Sequence, residues 1–383
     1  MTFDREPDLD NANVGTPDKR ISGITQFIKR VTKSVALFSF FEKGGLLHLC
    51  GRLRGSALSF VFSDGKPCSG VRGYQKVSTE LPYSYYLITM FILEASLNTA
   101  VSALTQRRIN MISKMLENVR KNCPLIHNIT NYVTVNDCAN IVIACGASPI
   151  MADDKDEVED ITTICGGLNI NIGTLNNRTI ESMILAGKRA NELNHPVVFD
   201  PVGAGASKLR TDTACRLLDE VKFTVIRGNI SEIKTLCQGK GNTKGVDADV
   251  ADKVTEDNID EVVAFAKAFS EKTGAVIAIT GAIDIVTDSN KAYVIRNGHT
   301  MMSSVTGTGC QLSAMTAAYV TANKDHPLEA TVASVCAMGY AGEIAYSRLS
   351  TMDGNSTYRN YIIDAIYNMT PEKLKEGAKY EVR

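Results

Sequence analysis

From about residue 109 to the C-terminus, short β-branched and apolar runs alternate with longer stretches whose apolar positions recur every three or four residues. Pro196-Val-Val-Phe-Asp200 and Phe223-Thr-Val-Ile-Arg227 are runs of the first kind. Each ends in a charged residue, as expected of buried parallel strands that carry functional groups at their carboxyl ends. Between them Leu209, Thr213, Leu217 and Val221 repeat at helical spacing, so the segment predicts a β-α-β unit with a helix over 209–220. The alternation continues with a strand at Leu168–Ile172, a helix over 178–193, a strand at Ala275–Thr280 and a long helix after Gly309. Ile283–Thr287 and Ala292–Ile295, joined by a turn around Asp288-Ser-Asn290, predict a hairpin near a sheet edge. Repeated β-α units without a TIM-barrel count predict a layered α/β fold, a mostly parallel central sheet with helices on both faces.

Residues 1–110 follow no such period. Gly44-Gly45, Gly51-Arg-Leu-Arg-Gly55 and the stretch from Gly65 to Gly73 interrupt it every few residues, which predicts a partly disordered or loosely packed extension. Tyr83–Leu104 is more apolar and reads as a helix leading into a second one over 109–119. Charge separates the same two parts. The chain of 383 residues has a formal charge of -1, too little for a global field that draws it to nucleic acid or an anionic membrane. Residues 1–110 nevertheless hold 14 basic and 9 acidic side chains, against 27 and 33 in residues 111–383. The expected organisation is therefore an N-terminal extension, 1–110, of no assignable role, followed by one domain, 111–383.

Ten cysteines are dispersed without a C-x-x-C pair or zinc-finger spacing, a distribution expected of reduced thiols in the cytoplasm. MTFDREPDLDN at the N-terminus is acidic and polar, unlike a targeting peptide. The apolar run Tyr85–Leu93 is too short to span a bilayer.

Candidate chemistry gathers at the ends of the predicted strands. In Val305-Thr306-Gly307-Thr308-Gly309-Cys310, two glycines and small hydroxyl residues precede a helix, so bare N–H groups and the positive end of its dipole face one point suited to a phosphate or a developing anion. The same pattern also describes a plain glycine-rich start of a helix. Cys310 is a nucleophile or base if the helix dipole lowers its pKa, and a small buried apolar residue otherwise. Asp200-Pro-Val-Gly-Ala-Gly205 places a carboxylate before a loop able to approach a polyphosphate with hydrated Mg²⁺, or an Asp that caps the next turn. Arg227-Gly-Asn229-Ile-Ser-Glu232 adds a cation for phosphate, with Glu232 free to reach metal-bound water or to close a capping box with Asn229. Asp200, Arg227 and Thr280 stand at three successive strand ends, where open α/β sheets bind ligands. His127-Asn-Ile-Thr-Asn131-Tyr-Val133 and Gly146-Ala-Ser-Pro-Ile-Met151 mix amides and apolar groups suited to a small heterocycle, although His127 alone reads as structural. The Walker, protein-kinase, dinucleotide-binding and H-E-x-x-H motifs are all missing.

The segments HNITNYV, GASPIM, FDPVGAGAS, VIRGNISEI, AITGAIDIVTD and VTGTGC, in this order over about residues 111–370, closely resemble hydroxyethylthiazole kinase of the ribokinase-like superfamily. The resemblance implies a ribokinase-like fold and ATP-dependent phosphorylation of the hydroxyl of 4-methyl-5-(2-hydroxyethyl)thiazole in thiamine salvage. It implies ATP contacts from Arg227 and Thr280, with Asp200 and Asn229 at the nucleotide, and thiazole contacts from Met151 and Gly307, with Asn131 and Val133 nearby. Asp200 and Glu232 would lie by the triphosphate and its Mg²⁺, reaching the ion through water. Cys310, with Gly307 and Gly309, would hold the catalytic position where most ribokinase-like enzymes carry an Asp. A homotrimer with sites between subunits is implied as well, with a small-molecule substrate and neither nucleic acid nor membrane as partner. The rival readings are a hydroxymethylpyrimidine kinase, a nicotinamide-nucleotide hydrate dehydratase of the same superfamily, or a non-catalytic ligand-binding homologue. A fused thiamine phosphate synthase is excluded as a complete domain, since residues 1–110 fall short of the ~200 that a (β/α)₈ barrel needs.

Overall fold

In a computed structural model, residues 48–54, 57–63, 111–239 and 253–383 are described. The chain divides into two units, Met1–Leu87 and Ile88–Arg383. In the first, β1 (His48–Arg54) and β2 (Ala57–Ser63) pair as an antiparallel hairpin. The strand runs straight through Gly51, where sequence patterning placed an interruption, because backbone pairing with Phe60 needs no side chain at that position. The apolar helix expected over Tyr83–Leu104 lies outside the described residues.

The second unit is built on a nine-stranded sheet in the order β11-β10-β9-β8-β7-β6-β5-β3-β4. Its parallel part comprises β3 (Leu125–Ile129), β4 (Ser148–Met151), β5 (Gly167–Asn171), β6 (Val197–Asp200), β7 (Val225–Gly228) and β8 (Val276–Ile279). β9 (Asp284–Thr287) and β10 (Ala292–Ile295) form the expected hairpin, β9 running antiparallel to β8. The edge itself is made by β11 (Tyr380–Val382), which pairs with β10 and has no counterpart among the predicted elements.

Strand burial explains the two layers. Val198, Val225 and Ala278 face one apolar cluster, whereas Val197, Phe199, Ile226 and Ile277 face the other. The first is covered by α1 (111–122), α2 (Val135–Cys145), α8 (Thr308–Ala322), α9 (Pro327–Ser347) and α10 (Asn355–Tyr367). The second lies beneath α4 (Asn177–Glu192), α5 (Lys208–Glu220), α6 (Ile230–Gly239) and α7 (Ile259–Thr273). Short helices α3 (Val158–Ile164) and α11 (Pro371–Gly377) complete the unit. This is the α/β, mostly parallel, two-sided layering expected of a ribokinase-like fold. Among the described residues, no helix is long and apolar enough to cross a membrane.

α8 is apolar or buried almost all round, so it lies inside the molecule rather than on it. Its closeness to the sheet depends on glycine: a β-carbon at Gly167 would stand 2.0 Å from Thr321 Oγ1. The N-terminus of this helix is thereby held over the carboxyl ends of the strands. The strand order reverses around β3, with β4 on one side and β5 on the other, and open α/β sheets bind ligands at such a point.

Candidate active site

Asp200, Arg227 and Thr280 end neighbouring strands, and their side chains meet. Arg227 donates through Nη2 to Thr280 Oγ1 at 2.6 Å and through Nη1 to Asp200 Oδ2 at 3.3 Å. Asp200 is fully buried. Its Oδ2 also accepts from Asn171 Nδ2 at 2.9 Å and from Ser313 Oγ at 2.8 Å, while Oδ1 has no partner. Burial raises the pKa of this carboxyl, against the opposing charge of Arg227.

The start of α8 closes over this group. Gly307 is its N-cap at φ +81°, and no side chain caps the helix. A β-carbon at Gly307 would meet Thr134 Cγ2 at 2.1 Å, so both backbone angle and space require glycine. Gly309, inside the helix rather than before it, admits the Arg227 guanidinium: a β-carbon there would lie 2.5 Å from both Nη atoms.

Cys310 follows, 8% exposed, and its Sγ accepts from Asn131 Nδ2 at 3.2 Å. The helix dipole alone would lower the thiol's pKa. Burial, reinforced by the nearby Asp200 charge, raises the pKa, although Asn171, Arg227 and Asn131 pull the other way. Cys310 is therefore a neutral thiol held by an amide, not a preformed thiolate.

Glu232 does close the capping box: Asn229 N–H donates to Oε2 at 2.8 Å, and Asn229 Oδ1 accepts from Glu232 N–H at 2.9 Å. Its other oxygen accepts from Gly203 N–H at 2.8 Å, tying the Asp200–Gly205 loop to α6. Both oxygens of Glu232 are thus engaged by backbone N–H groups, whereas Asp200 Oδ1 is an unsatisfied buried acceptor. Among the described residues no group of three or more His, Cys, Asp or Glu could hold a metal unaided. That donor set fits Mg²⁺, which takes one or two carboxylates and completes its shell with water and substrate phosphate.

Beside Arg227 and Gly309 opens a cavity of 530 Å³, lined by Thr280, Gly281, Asp284 and the 297–303 segment, with Leu312, Val335 and Met338 as apolar wall. His299 lines it and stacks on Tyr346 with ring centroids 3.5 Å apart. On the other side of Cys310, Asn131 stands next to Tyr132 and Val133, which are 58% and 65% exposed. Met151 ends β4 opposite Asn128 of β3 and is half-buried against the α8-side core. Thus Asp200, Arg227, Thr280, Gly307, Gly309, Cys310 and Asn131 converge. Asn229 and Glu232, at the start of α6, bond each other and the Gly203 backbone, and Met151 and Val133 belong to the open flank. His127 is structural: fully buried, bonded to Thr162 and the Ala152 carbonyl, its pKa lowered to about 4 by burial.

Sequence patterning passed over Asn171, Ser313, Asp284 and the 297–303 wall. For Asn171 a signal existed: Asn169 and Asn171 share one face of a strand read as buried, and a buried amide demands a partner.

The hydroxyethylthiazole kinase family model matches residues 116–372. The hydroxyethylthiazole kinase of Clostridium acetobutylicum is 71% identical over 271 residues, which make up 71% of this chain and 99% of that protein. The one from Ruminiclostridium cellulolyticum is 52% identical over 268 residues, covering 70% and 96%. The solved structure of a hydroxyethylthiazole kinase protein from Pyrococcus horikoshii OT3 aligns with a TM-score of 0.64 at 34% identity, covering 71% of this chain and 98% of that one.

Proposed function

The chain belongs to the hydroxyethylthiazole kinase family, and from that premise we propose that it transfers the γ-phosphoryl group of ATP to the hydroxyl of 4-methyl-5-(2-hydroxyethyl)thiazole, a step of thiamine salvage. The observation that carries this reading is the meeting of a buried Arg–Asp pair, an uncapped helix N-terminus and an amide-held thiol at the rim of one cavity.

In this reading ATP occupies the cavity, with Arg227 and Thr280 against its phosphates and Asp200 and Asn229 behind them. The thiazole lies on the flank of Asn131, Val133, Met151 and Gly307, its hydroxyl directed past Cys310. Asp200, and Glu232 through water, would hold Mg²⁺, which when bound neutralises phosphate charge. The hydroxyl oxygen forms a bond to the γ-phosphorus as the bond to the β,γ-bridging oxygen breaks, releasing ADP. Arg227 and the N–H groups from Gly307 to Cys310 stabilise the charge on the transferring group. Such loose transfer needs little base assistance, so a neutral Cys310 orients the hydroxyl, whose proton passes late to an oxygen of the transferred phosphoryl group. The work of the site is positioning.

Tyr132 and Val133 beside Asn131 are exposed, which leaves the thiazole flank open to a neighbouring subunit of the homotrimer that the family resemblance implies. Residues 1–110 precede the matched region, and a domain of 111–383 spans nearly the whole length of the Clostridium acetobutylicum relative. That supports an extension outside the catalytic domain.

The test is ADP release by the full chain with hydroxyethylthiazole, with hydroxymethylpyrimidine, and with no acceptor. Turnover dependent on the thiazole alcohol is expected. Preference for the pyrimidine would assign a sibling kinase, and turnover with neither would leave a ligand-binding homologue.

A further inference from the structure

At the reversal of strand order, one buried amide joins the two halves of the site. Asn171, 1% exposed at the end of β5, donates from Nδ2 to Asp200 Oδ2 at 2.9 Å. Its Oδ1 accepts from Asn131 Nδ2 at 3.0 Å and from its own loop's Gly173 N–H at 2.9 Å. Asn131 in turn spends its oxygen on Thr134, whose N–H and Oγ1 both donate at 3.1 Å, and offers Nδ2 to Cys310 Sγ.

Neither amide can be turned over. Flipping Asn171 would set its oxygen against the Asp200 carboxylate and its NH₂ against that of Asn131. Flipping Asn131 would set its NH₂ against the Thr134 N–H and two oxygens against each other. The chain Asp200–Asn171–Asn131–Cys310 therefore has a single polarity, and every link in it is buried. Asn171, together with Arg227 and Ser313, fills Oδ2 of Asp200 and leaves Oδ1 as its open edge. Through Asn131 the same residue fixes the donor that grips the Cys310 thiol. A β-carbon at Gly173 would stand 2.9 Å from atoms of both amides, so the loop that completes the pair also needs its glycine.

We propose that Asn171 is a positioning residue for phosphoryl transfer: it sets the carboxylate edge on the phosphate side and the thiol on the acceptor side together. This rests on the kinase reading above. It touches neither substrate in that reading, so its loss lowers turnover rather than affinity. Displacement of reacting groups by about 1 Å costs on the order of 100-fold in rate.

The test compares Asn171→Ala with Asn169→Ala. Asn169 is a buried amide on the same face of the same strand, but it pairs with Asn128 and lies outside the chain to Cys310. In the full-length protein, kcat per site is normalised to ADP-binding stoichiometry, which removes any unfolded fraction, and KM is measured for ATP and for thiazole. If Asn171→Ala does not fold, Asn171→Ser, which keeps a hydroxyl, carries the comparison. The expected result is kcat down about 10- to 100-fold with both KM values within about threefold, and Asn169→Ala within about twofold of the unaltered enzyme. Unchanged kcat in the Asn171 variant, or equal losses in both, would overturn the proposal. An unaltered chain without thiazole-dependent turnover would fail the kinase reading itself and remove the proposal with it.

Discussion

Gly309→Ala sets two known effects against each other, and the sign of the outcome reports whether Arg227 is pinned. Alanine is the better helix former by up to about 1 kcal/mol, so a free guanidinium would let the change stabilise the protein. The added β-carbon, however, lies 2.5 Å from both Nη atoms and 2.9 Å from Cζ. Contact between such atoms is comfortable only at about 3.5 Å, so the guanidinium has to retreat by about 1 Å. It is anchored to Thr280 at 2.6 Å and to fully buried Asp200 at 3.3 Å. Weakening these bonds, worth about 1.5–3 kcal/mol each when a charge is involved, exceeds the helix gain. The balance is a net loss of about 1–3 kcal/mol, which lowers Tm by several degrees, at about 2–4 °C per kcal/mol for a domain of this size. In the kinase reading the same loss of about 1–3 kcal/mol, felt at the ATP phosphates, lowers kcat/KM for ATP about 5- to 140-fold, since each 1.4 kcal/mol is tenfold. Thermal melts of Gly309→Ala, Arg227→Ala and the double variant decide it. In the Arg227→Ala background the same alanine is expected to be neutral or stabilising. A raised Tm in the single variant would refute the pinned guanidinium.

Three further outcomes follow from the same geometry. Arg227→Ala leaves Asp200 buried without its cation; it should destabilise by about 3–5 kcal/mol and raise KM for ATP far more than KM for thiazole, and steady-state kinetics with the reverse order would remove Arg227 from the nucleotide side. Cys310→Ala should lower turnover only modestly and Cys310→Asp should retain or raise it, while complete loss with Asp would contradict an orienting role. Asp284, buried in the cavity wall and bonded to Gly281 N–H at 2.9 Å, has its pKa raised to about 7, chiefly by burial. Its favourable contribution is full below the unfolded value near 4 and is lost as pH rises through about 7, a cost of at most about 4 kcal/mol above that point. Asp284→Asn, which keeps the acceptor, should therefore raise Tm at pH 8 and change it much less at pH 4; a difference independent of pH would contradict that origin.

How much of this was legible in the chain depended on the range of the interaction. Strands such as Val197–Asp200 are buried on both faces, so their apolar runs stood out, and residues ending them were visible as candidates without any neighbour. The capping box of Asn229 and Glu232 was legible because its partners are three residues apart. Asn171 and Ser313 reach Asp200 across 29 and 113 residues; the strand pattern shows that Asn171 needs a partner, but nothing local names Asp200 as that partner. The glycine pattern places Gly309 before the helix, yet it lies inside it, where the missing side chain admits Arg227. β11 is three residues long and half-exposed, too short to show any period. The thiol of Cys310 shows a balance that patterning cannot settle, since the helix dipole was visible but the burial and the Asp200 charge were not.

In the kinase reading the γ-phosphoryl group itself passes to the thiazole alcohol. ATP carrying ¹⁸O at the three non-bridging γ-oxygens, incubated with the full chain, Mg²⁺ and hydroxyethylthiazole, tests it by mass spectrometry of the products. The expected product is a thiazole phosphate that retains all three labels, with the unlabelled alcohol oxygen as the bridge to phosphorus. Labelled inorganic phosphate with unmodified thiazole would contradict it.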